Sequence, residues 1–324
     1  MQASFIILSS VMLAYCFADE SSWNCTTLES KVLVPGAVQW ARKNCTGVTP
    51  LGSVGPMIFN VLHTALFSSS VSITPMVAKN NFSLAPLQEI AAQDANVIGG
   101  INGGYFFRTD SKSFIDTVCW GKSRPDALQP ANQSEPNDGI GDTAVVANGS
   151  VLSCNCDCFG YNRPATLVVN GTHSYILVQG TAALPPAGAR DVISAGPNLV
   201  SCDEAGNSFI DIPKDDENIN ILEWSANTAV GIINSSWLTM VTADGYDGCS
   251  WGNPQCGIDS YNMAYFMKDE EKVQVAMGMD QGGSTTMFVA GEGTDGIVSC
   301  SQNAECTGSP RPLFSGLFVK VTSP

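Results

Sequence analysis

Apolar residues along the chain gather into short runs set off by Gly, Pro and Asn, a spacing that predicts many short strands. Strands are expected at residues 57–67, 71–77, 97–101, 143–147, 165–169, 175–179 and 192–194, and again at 228–233, 237–243, 273–279, 286–290 and 314–322. Two segments change period. Ser83 is placed to cap a helix that carries Leu84, Leu87, Ile90 and Ala91 on one face. Asp259 is placed to start a second, with Met263, Phe266 and Met267 at i, i+3 and i+4. Residues 108–142 are polar, interrupted by Pro125, Pro130 and Pro136, and predict a long surface excursion. Residues 211–220 are acidic and predict a solvated loop.

One arrangement occurs twice. A helix, an apolar strand, a polar residue and paired glycines run through 84–104, ending at Asn102-Gly103-Gly104, and through 258–283, ending at Asp280-Gln281-Gly282-Gly283. Glycine at a strand's carboxyl end lets backbone come close to a ligand, and it also serves plain turns. The expected fold class is α+β: mixed β-sheets packed by two principal helices, with this internal repeat and disulfide support. By segment, residues 1–18 read as a signal peptide. Residues 19–56 read as a lead-in with a weak helical patch near 37–42, and 57–324 as the main domain.

Composition narrows the compartment and the partners. Residues 1–18 carry no charged side chain and end in small residues before Asp19, the form of a cleaved secretory leader. No later stretch reaches the roughly 18 apolar residues of a spanning helix, so a secreted or lumenal address without a membrane span is expected. Seven N-x-S/T sequons, at Asn24, Asn44, Asn81, Asn132, Asn148, Asn170 and Asn234, predict a glycoprotein. Thirty acidic against 15 basic residues give a net charge of −15, which argues against a nucleic-acid partner.

Twelve cysteines suit an oxidising compartment. Short-loop candidates for disulfides are Cys25 with Cys45, Cys249 with Cys256 and Cys300 with Cys306. With Cys16 in the leader, Cys119, Cys154, Cys156, Cys158 and Cys202 form a group of five, so one thiol is expected to stay unpaired or to pair between chains. The spacing Cys154-x-Cys156-x-Cys158 is too tight for ordinary zinc ligands, so no metal or other cofactor is expected.

Two familiar motifs fail on context. Gly248-Cys249-Ser250-Trp251-Gly252 has the letters of a serine-hydrolase elbow, but Asn253-Pro254 follows, and both histidines, His63 and His173, lie upstream. Gly291-x-Gly293-x-x-Gly296 has strand-like residues on both sides and no helix to receive a pyrophosphate, so it reads as a turn.

What survives is an ordered set: Ile101-Asn102-Gly103-Gly104-Tyr105-Phe106, Thr228-Ala229-Val230-Gly231, Met279-Asp280-Gln281-Gly282-Gly283-Ser284-Thr285-Thr286 and Arg311-Pro312. In this order it resembles the phosphodiester glycosidase family over roughly residues 57–322. The resemblance implies a hydrolase that cuts a sugar-1-phosphodiester, such as an N-acetylglucosamine-1-phosphodiester, to free sugar and a phosphomonoester. Asp280 is then the candidate base or nucleophile, and Asn102 a hydrogen-bonding partner of sugar or phosphate. Gly103, Gly104, Gly282, Gly283, Ser284 and Thr285 are candidates to cradle the anion, with Arg311 as its cation. A glycan or phosphoglycan substrate is the implied partner.

Two positions depart from the family pattern. Asn227 stands where the family has arginine, and Gln281 where it has glycine. These departures keep a second reading open, a non-catalytic glycan-binding or matrix glycoprotein on the same fold.

Overall fold

The computed structural model describes residues 21–79, 83–108, 139–141, 143–153, 165–169, 174–178, 189–212, 224–245, 257–301 and 310–322. Its strands are β1 (Ser22–Val34), β2 (Val38–Thr49), β3 (Gly52–Ala65), β4 (Val71–Val77), β5 (Val97–Asn102), β6 (Phe106–Arg108) and β7 (Gly139–Gly141). They continue with β8 (Val145–Ala147), β9 (Ser150–Ser153), β10 (Ala165–Val169), β11 (Ser174–Val178), β12 (Asp191–Ala195) and β13 (Asn198–Cys202). The remainder are β14 (Ser208–Ile210), β15 (Asn227–Ile233), β16 (Trp237–Ala243), β17 (Val275–Gly278), β18 (Met287–Val289) and β19 (Ser315–Val321). Two short α-helices interrupt them, α1 (Leu87–Ala91) and α2 (Ser260–Tyr265), the latter running on as a π-helical turn over Phe266–Glu270.

The fold is therefore mostly β, and the expected pair of principal helices shrinks to one or two turns each. Pro86 shortens the first. It sits at the N-cap, and its ring disfavours helical backbone at the preceding Ala85, so the helix begins at Leu87 rather than behind Ser83. Ala85 instead bridges to Leu313 as extended chain. Asp259 does cap the second helix, its carboxylate accepting the Asn262 N–H at 2.8 Å. The expectation of mixed sheets is also corrected, since every strand pair among the described residues is antiparallel.

An eight-stranded sheet has the order β1-β2-β3-β16-β15-β17-β13-β14. A four-stranded sheet, β18-β5-β19-β4, and a five-stranded sheet, β11-β10-β12-β8-β9, share an apolar layer with it. Leu62, Val230, Met240 and Met277 come from the large sheet. Ile101, Met287 and Leu317 come from the four-stranded one, Leu167 and Ile193 from the five-stranded one. On the other face of the large sheet, Phe59, Val61 and Val241 pack under Met263, Phe266 and Met267 of α2 and the turn after it. Phe59 and Phe266 stack at 3.8 Å, with Trp23 edge-on to both. Helix α1 covers the outer side of the four-stranded sheet through Leu87, Ile90 and Phe318.

Residues 22–56, within the segment 19–56 read from sequence as a lead-in, form β1, β2 and the start of β3 and so extend the large sheet. The patch near 37–42 is strand, not helix. Cys25 and Cys45 face each other across β1 and β2 and form a disulfide, Cα–Cα 4.1 Å. Cys300 is also disulfide-bonded, and Cys202 is a free thiol. The remaining cysteines, the Gly248–Gly252 stretch, His173, and most of the excursion at 108–142 and the acidic run at 211–220 lie outside the described residues. The Gly291–Gly296 motif is a turn with positive φ at all three glycines, closed by the Thr294–Ile297 bridge.

Candidate active site

The two glycine doublets meet. Strand β5 ends at Asn102, and the chain after β17 reaches Asp280 just beyond it: the Asp280 N–H donates to the Gly103 carbonyl at 3.2 Å. Asn102 fastens the junction. Its Nδ2 donates to the Asp280 carbonyl at 2.8 Å, and its Oδ1 accepts from Thr228 Oγ1 at 2.7 Å and the Thr286 N–H at 3.1 Å. A wholly buried amide with both ends engaged by protein is a rigid joint. It ties β5, β15 and the Asp280–Thr286 segment together, and its amide is already occupied by backbone and by Thr228.

The glycines of the first doublet are explained by protein rather than by ligand. A Cβ on Gly103 would lie 2.1 Å from Ser315 Oγ, and one on Gly104 would lie 2.3 Å from both the Ser194 carbonyl and Thr143 Oγ1. The Gly103 N–H donates to the Ser315 carbonyl at 2.8 Å, which seats the doublet against β19. In the second doublet Gly282 has φ +63°, a conformation that favours glycine, and its N–H donates to the Ala226 carbonyl at 2.8 Å.

Around this junction the remaining candidates fall into place. Asp280 is half-buried, one carboxylate oxygen accepting the Gln281 N–H at 3.0 Å. Ser284, fully buried, sits in a single 3₁₀ turn over Gly282–Ser284, and Arg311 Nη1 donates to its hydroxyl at 3.3 Å. Arg311 is half-buried and makes no ion pair among the described residues. Thr285 is buried, its hydroxyl without a hydrogen-bond partner among the described residues. Asn102, Gly103, Asp280, Ser284 and Arg311 are thus linked in one hydrogen-bonded neighbourhood.

The two departures from the family pattern differ in their surroundings. Gln281 Nε2 donates to Ser260 Oγ at 3.0 Å at the start of α2. Asn227 opens β15, is 1% exposed, and neither its Oδ1 nor its Nδ2 finds a partner among the described residues.

Sequence reading missed a further polar group, on β2, β3 and β16. Asp244, just past β16, is buried. It accepts from Asn60 Nδ2 at 3.0 Å and the Cys300 N–H at 2.9 Å, with Arg42 Nη2 3.8 Å from its other oxygen. Burial pushes its carboxyl up to about 7, against the opposing pull of those hydrogen bonds and of Arg42. The available signal was Asn60 and Thr242 at positions where their strands are otherwise apolar. His63 belongs elsewhere, 2.8 Å from Glu271 on the α2 face of the large sheet. Among the described residues no cluster of His, Cys, Asp and Glu is placed to hold a metal ion, and no helix is long and apolar enough to cross a membrane.

Comparison with solved structures finds the same fold at low identity. The zebrafish N-acetylglucosamine-1-phosphodiester alpha-N-acetylglucosaminidase catalytic domain, auto-inhibited by its pro-peptide, is 15% identical with a TM-score of 0.58, over 93% of this chain and 88% of that one. A hypothetical protein from Synechocystis is 12% identical with a TM-score of 0.54, over 88% of this chain and 62% of that one. Comparison with curated proteins finds no match. The phosphodiester glycosidase family model matches residues 95–320, a span that holds both glycine doublets, Asp280, Ser284 and Arg311, and the chain belongs to that family.

Proposed function

We propose that this protein hydrolyses a sugar-1-phosphodiester at the anomeric carbon, releasing free sugar and a phosphomonoester. The observation that carries the reading is the junction itself, where a half-buried carboxylate and a guanidinium without an ion-pair partner among the described residues flank the paired glycine turns. Family membership and the likeness of fold to the zebrafish enzyme support it.

The chemistry follows from the leaving group. The phosphomonoester leaves as a stable anion, so the C1–O bond can break with its electrons passing to a phosphate oxygen and little need of an acid. Arg311 supplies the charge for that anion and the Ser284 hydroxyl a donor beside it, with the glycine turns placing the two segments next to each other. Asp280 faces the positive charge that develops at C1, or adds to it as nucleophile, before water supplies the new hydroxyl. Asn102 acts by holding Asp280 and the Thr286 segment in register. Secretion fits the leader-like residues 1–18, the Cys25–Cys45 disulfide and the exposed placement of the sequon residues Asn24, Asn44, Asn148 and Asn234.

The test is release of N-acetylglucosamine from a synthetic N-acetylglucosamine-1-phosphodiester. Wild type should turn over, and Asp280→Asn should lose on the order of 10³-fold in kcat. Equal rates would remove Asp280 from the mechanism. One observation favours the alternative of a non-catalytic glycan binder: a neutral Asn227, whose side chain has no hydrogen-bond partner among the described residues, stands where the family carries arginine. Under that reading neither wild type nor Asn227→Arg releases sugar, while both retain glycan.

A further inference from the structure

A cleft of about 540 Å³ opens where the four- and five-stranded sheets meet, among the start of β4, the end of β19 and the β8–β9 turn. It is set apart from the junction. On β19, Gly316 lies opposite Asn102, and Lys320, which lines the cleft, stands four residues further along, about 13 Å at the rise of a strand. Phe67 lines the cleft and is 49% exposed. Ser72, Lys320, Arg190 and Asp191 add polar atoms. The charges are balanced: Lys320 pairs with Asp94 at 3.1 Å, and Arg190 Nε lies 3.5 Å from Asp191 Oδ2. An open cleft with an aromatic ring, mixed donors and acceptors and no spare charge suits a sugar, whose C–H face is apolar and whose hydroxyls both donate and accept.

A sugar attachment point stands on the same cleft. Asn148 lines it and heads the sequon Asn148-Gly149-Ser150. Asn148 and Gly149 form the two-residue turn between β8 and β9, at φ +49° and +78°, which accounts for Asn-Gly but not for Ser150. The turn is pinned to β12 and the residue before it. The Asn148 N–H donates to Asp191 Oδ1 at 3.2 Å, the Gly149 N–H to the Arg190 carbonyl at 2.7 Å, and Arg190 Nη2 to Asn148 Oδ1 at 3.3 Å. Asp191, 4% exposed, is held in turn by Thr74 Oγ1 of β4 at 2.8 Å. Asn148 Oδ1 is thus engaged, while Nδ2, the atom that N-glycosylation modifies, makes no hydrogen bond among the described residues. The other described sequon residues, Asn24, Asn44 and Asn234, do not line this cleft.

We propose that Asn148 carries an N-linked glycan whose first sugar folds back into this cleft and rests on Phe67, bracing the seam between the two sheets. The donor is an oligosaccharide carried on a lipid diphosphate. Asn148 Nδ2 bonds to its C1 and gives up one proton, and the C1–O bond breaks with its electrons leaving on the diphosphate. Ser150→Ala is the informative variant, because it abolishes the sequon and leaves the Asn148-Gly149 turn intact. Ser150 is exposed, so the change disturbs no packed group.

Wild type, Ser150→Ala, Phe67→Ala and the double variant are made as full chains in one glycosylating host. Peptide N-glycosidase, which converts a glycosylated asparagine to aspartate, should mark Asn148 in wild type and not in Ser150→Ala when read by mass spectrometry. Each single variant should lower Tm by about 2 °C or more, with the double variant no lower than the worse single one. An unmodified Asn148 in wild type overturns the proposal. So does a Phe67→Ala shift of equal size with and without the sequon, since the glycan then does not touch the ring. Binding of free N-acetylglucosamine disaccharide to Ser150→Ala, beside shifts that simply add, would assign the cleft to a separate glycan and overturn the tethered one.

Discussion

Replacing Asp244 with asparagine isolates the cost of a buried carboxyl. In the fold its ionisation is pushed up from an ordinary 3.8 to about 7. Between those values the folded chain binds a proton that the unfolded chain has released, so this group's contribution to stability falls as pH rises. Three units at about 1.4 kcal/mol each set an upper size of about 4 kcal/mol. Asparagine keeps an oxygen for the Asn60 Nδ2 and Cys300 N–H donors and cannot ionise. Arg42 loses a charge partner 3.8 Å away, a weak contact for a side chain that is 40% exposed.

Urea unfolding of wild type and Asp244→Asn at intervals from pH 4 to 8 reads the effect directly. All other groups titrate alike in both, so the stability of the variant minus that of wild type should climb with pH, approaching about 4 kcal/mol by pH 8. A difference that stays flat across this range, or falls, would refute the burial argument for Asp244.

Three further outcomes follow from the same geometry. Gly104→Ala forces a methyl against the Ser194 carbonyl and the Thr143 hydroxyl at 2.3 Å and should cost about 3 kcal/mol in chemical unfolding, whether or not substrate is present. Burial works to raise the Glu271 carboxyl, but its bond to His63 and the charge of Lys43 outweigh that and hold it below its usual 4.5. Its stabilisation is therefore present above that value and lost as pH falls through the lower folded one, and Glu271→Gln should cost on the order of 3 kcal/mol near pH 7 but little in strong acid. Arg311→Met should cut kcat on a phosphodiester substrate on the order of 10²-fold while a neutral-leaving-group glycoside loses far less, which steady-state kinetics on the two substrates will show.

The strands that sandwich the core were readable because burial writes itself as apolar runs. Val71–Val77, Ala165–Val169 and Trp237–Ala243 stand where the pattern put them. Strands β1 and β2 carried no such mark. Most of β1 is exposed, and its Thr, Glu, Ser and Lys residues give no alternation to read, so the pairing rests on the neighbouring strand and the Cys25–Cys45 link. The helix expected behind Ser83 lost its first turn to Pro86, a local veto that periodicity does not weigh.

At the site, the paired glycines and Asp280 were visible as a repeated order. What the letters alone did not disclose was which partner each glycine approaches. Ser194 of β12 with Thr143, and Ser315 of β19, far away in sequence, supply the close contacts for Gly104 and Gly103. Asn60, Thr242 and Asp244 stand out singly as polar letters, but their grouping was hidden for a similar reason, since only strand register brings them into line with Thr228 and Asn102.

Carrying out the reaction in ¹⁸O-labelled water separates a glycosidase from an enzyme that attacks phosphorus. Cleavage of the sugar C1–O bond places the heavy oxygen on the anomeric carbon of the released sugar and leaves the phosphomonoester unlabelled. Label in the phosphomonoester and none in the sugar would contradict the account.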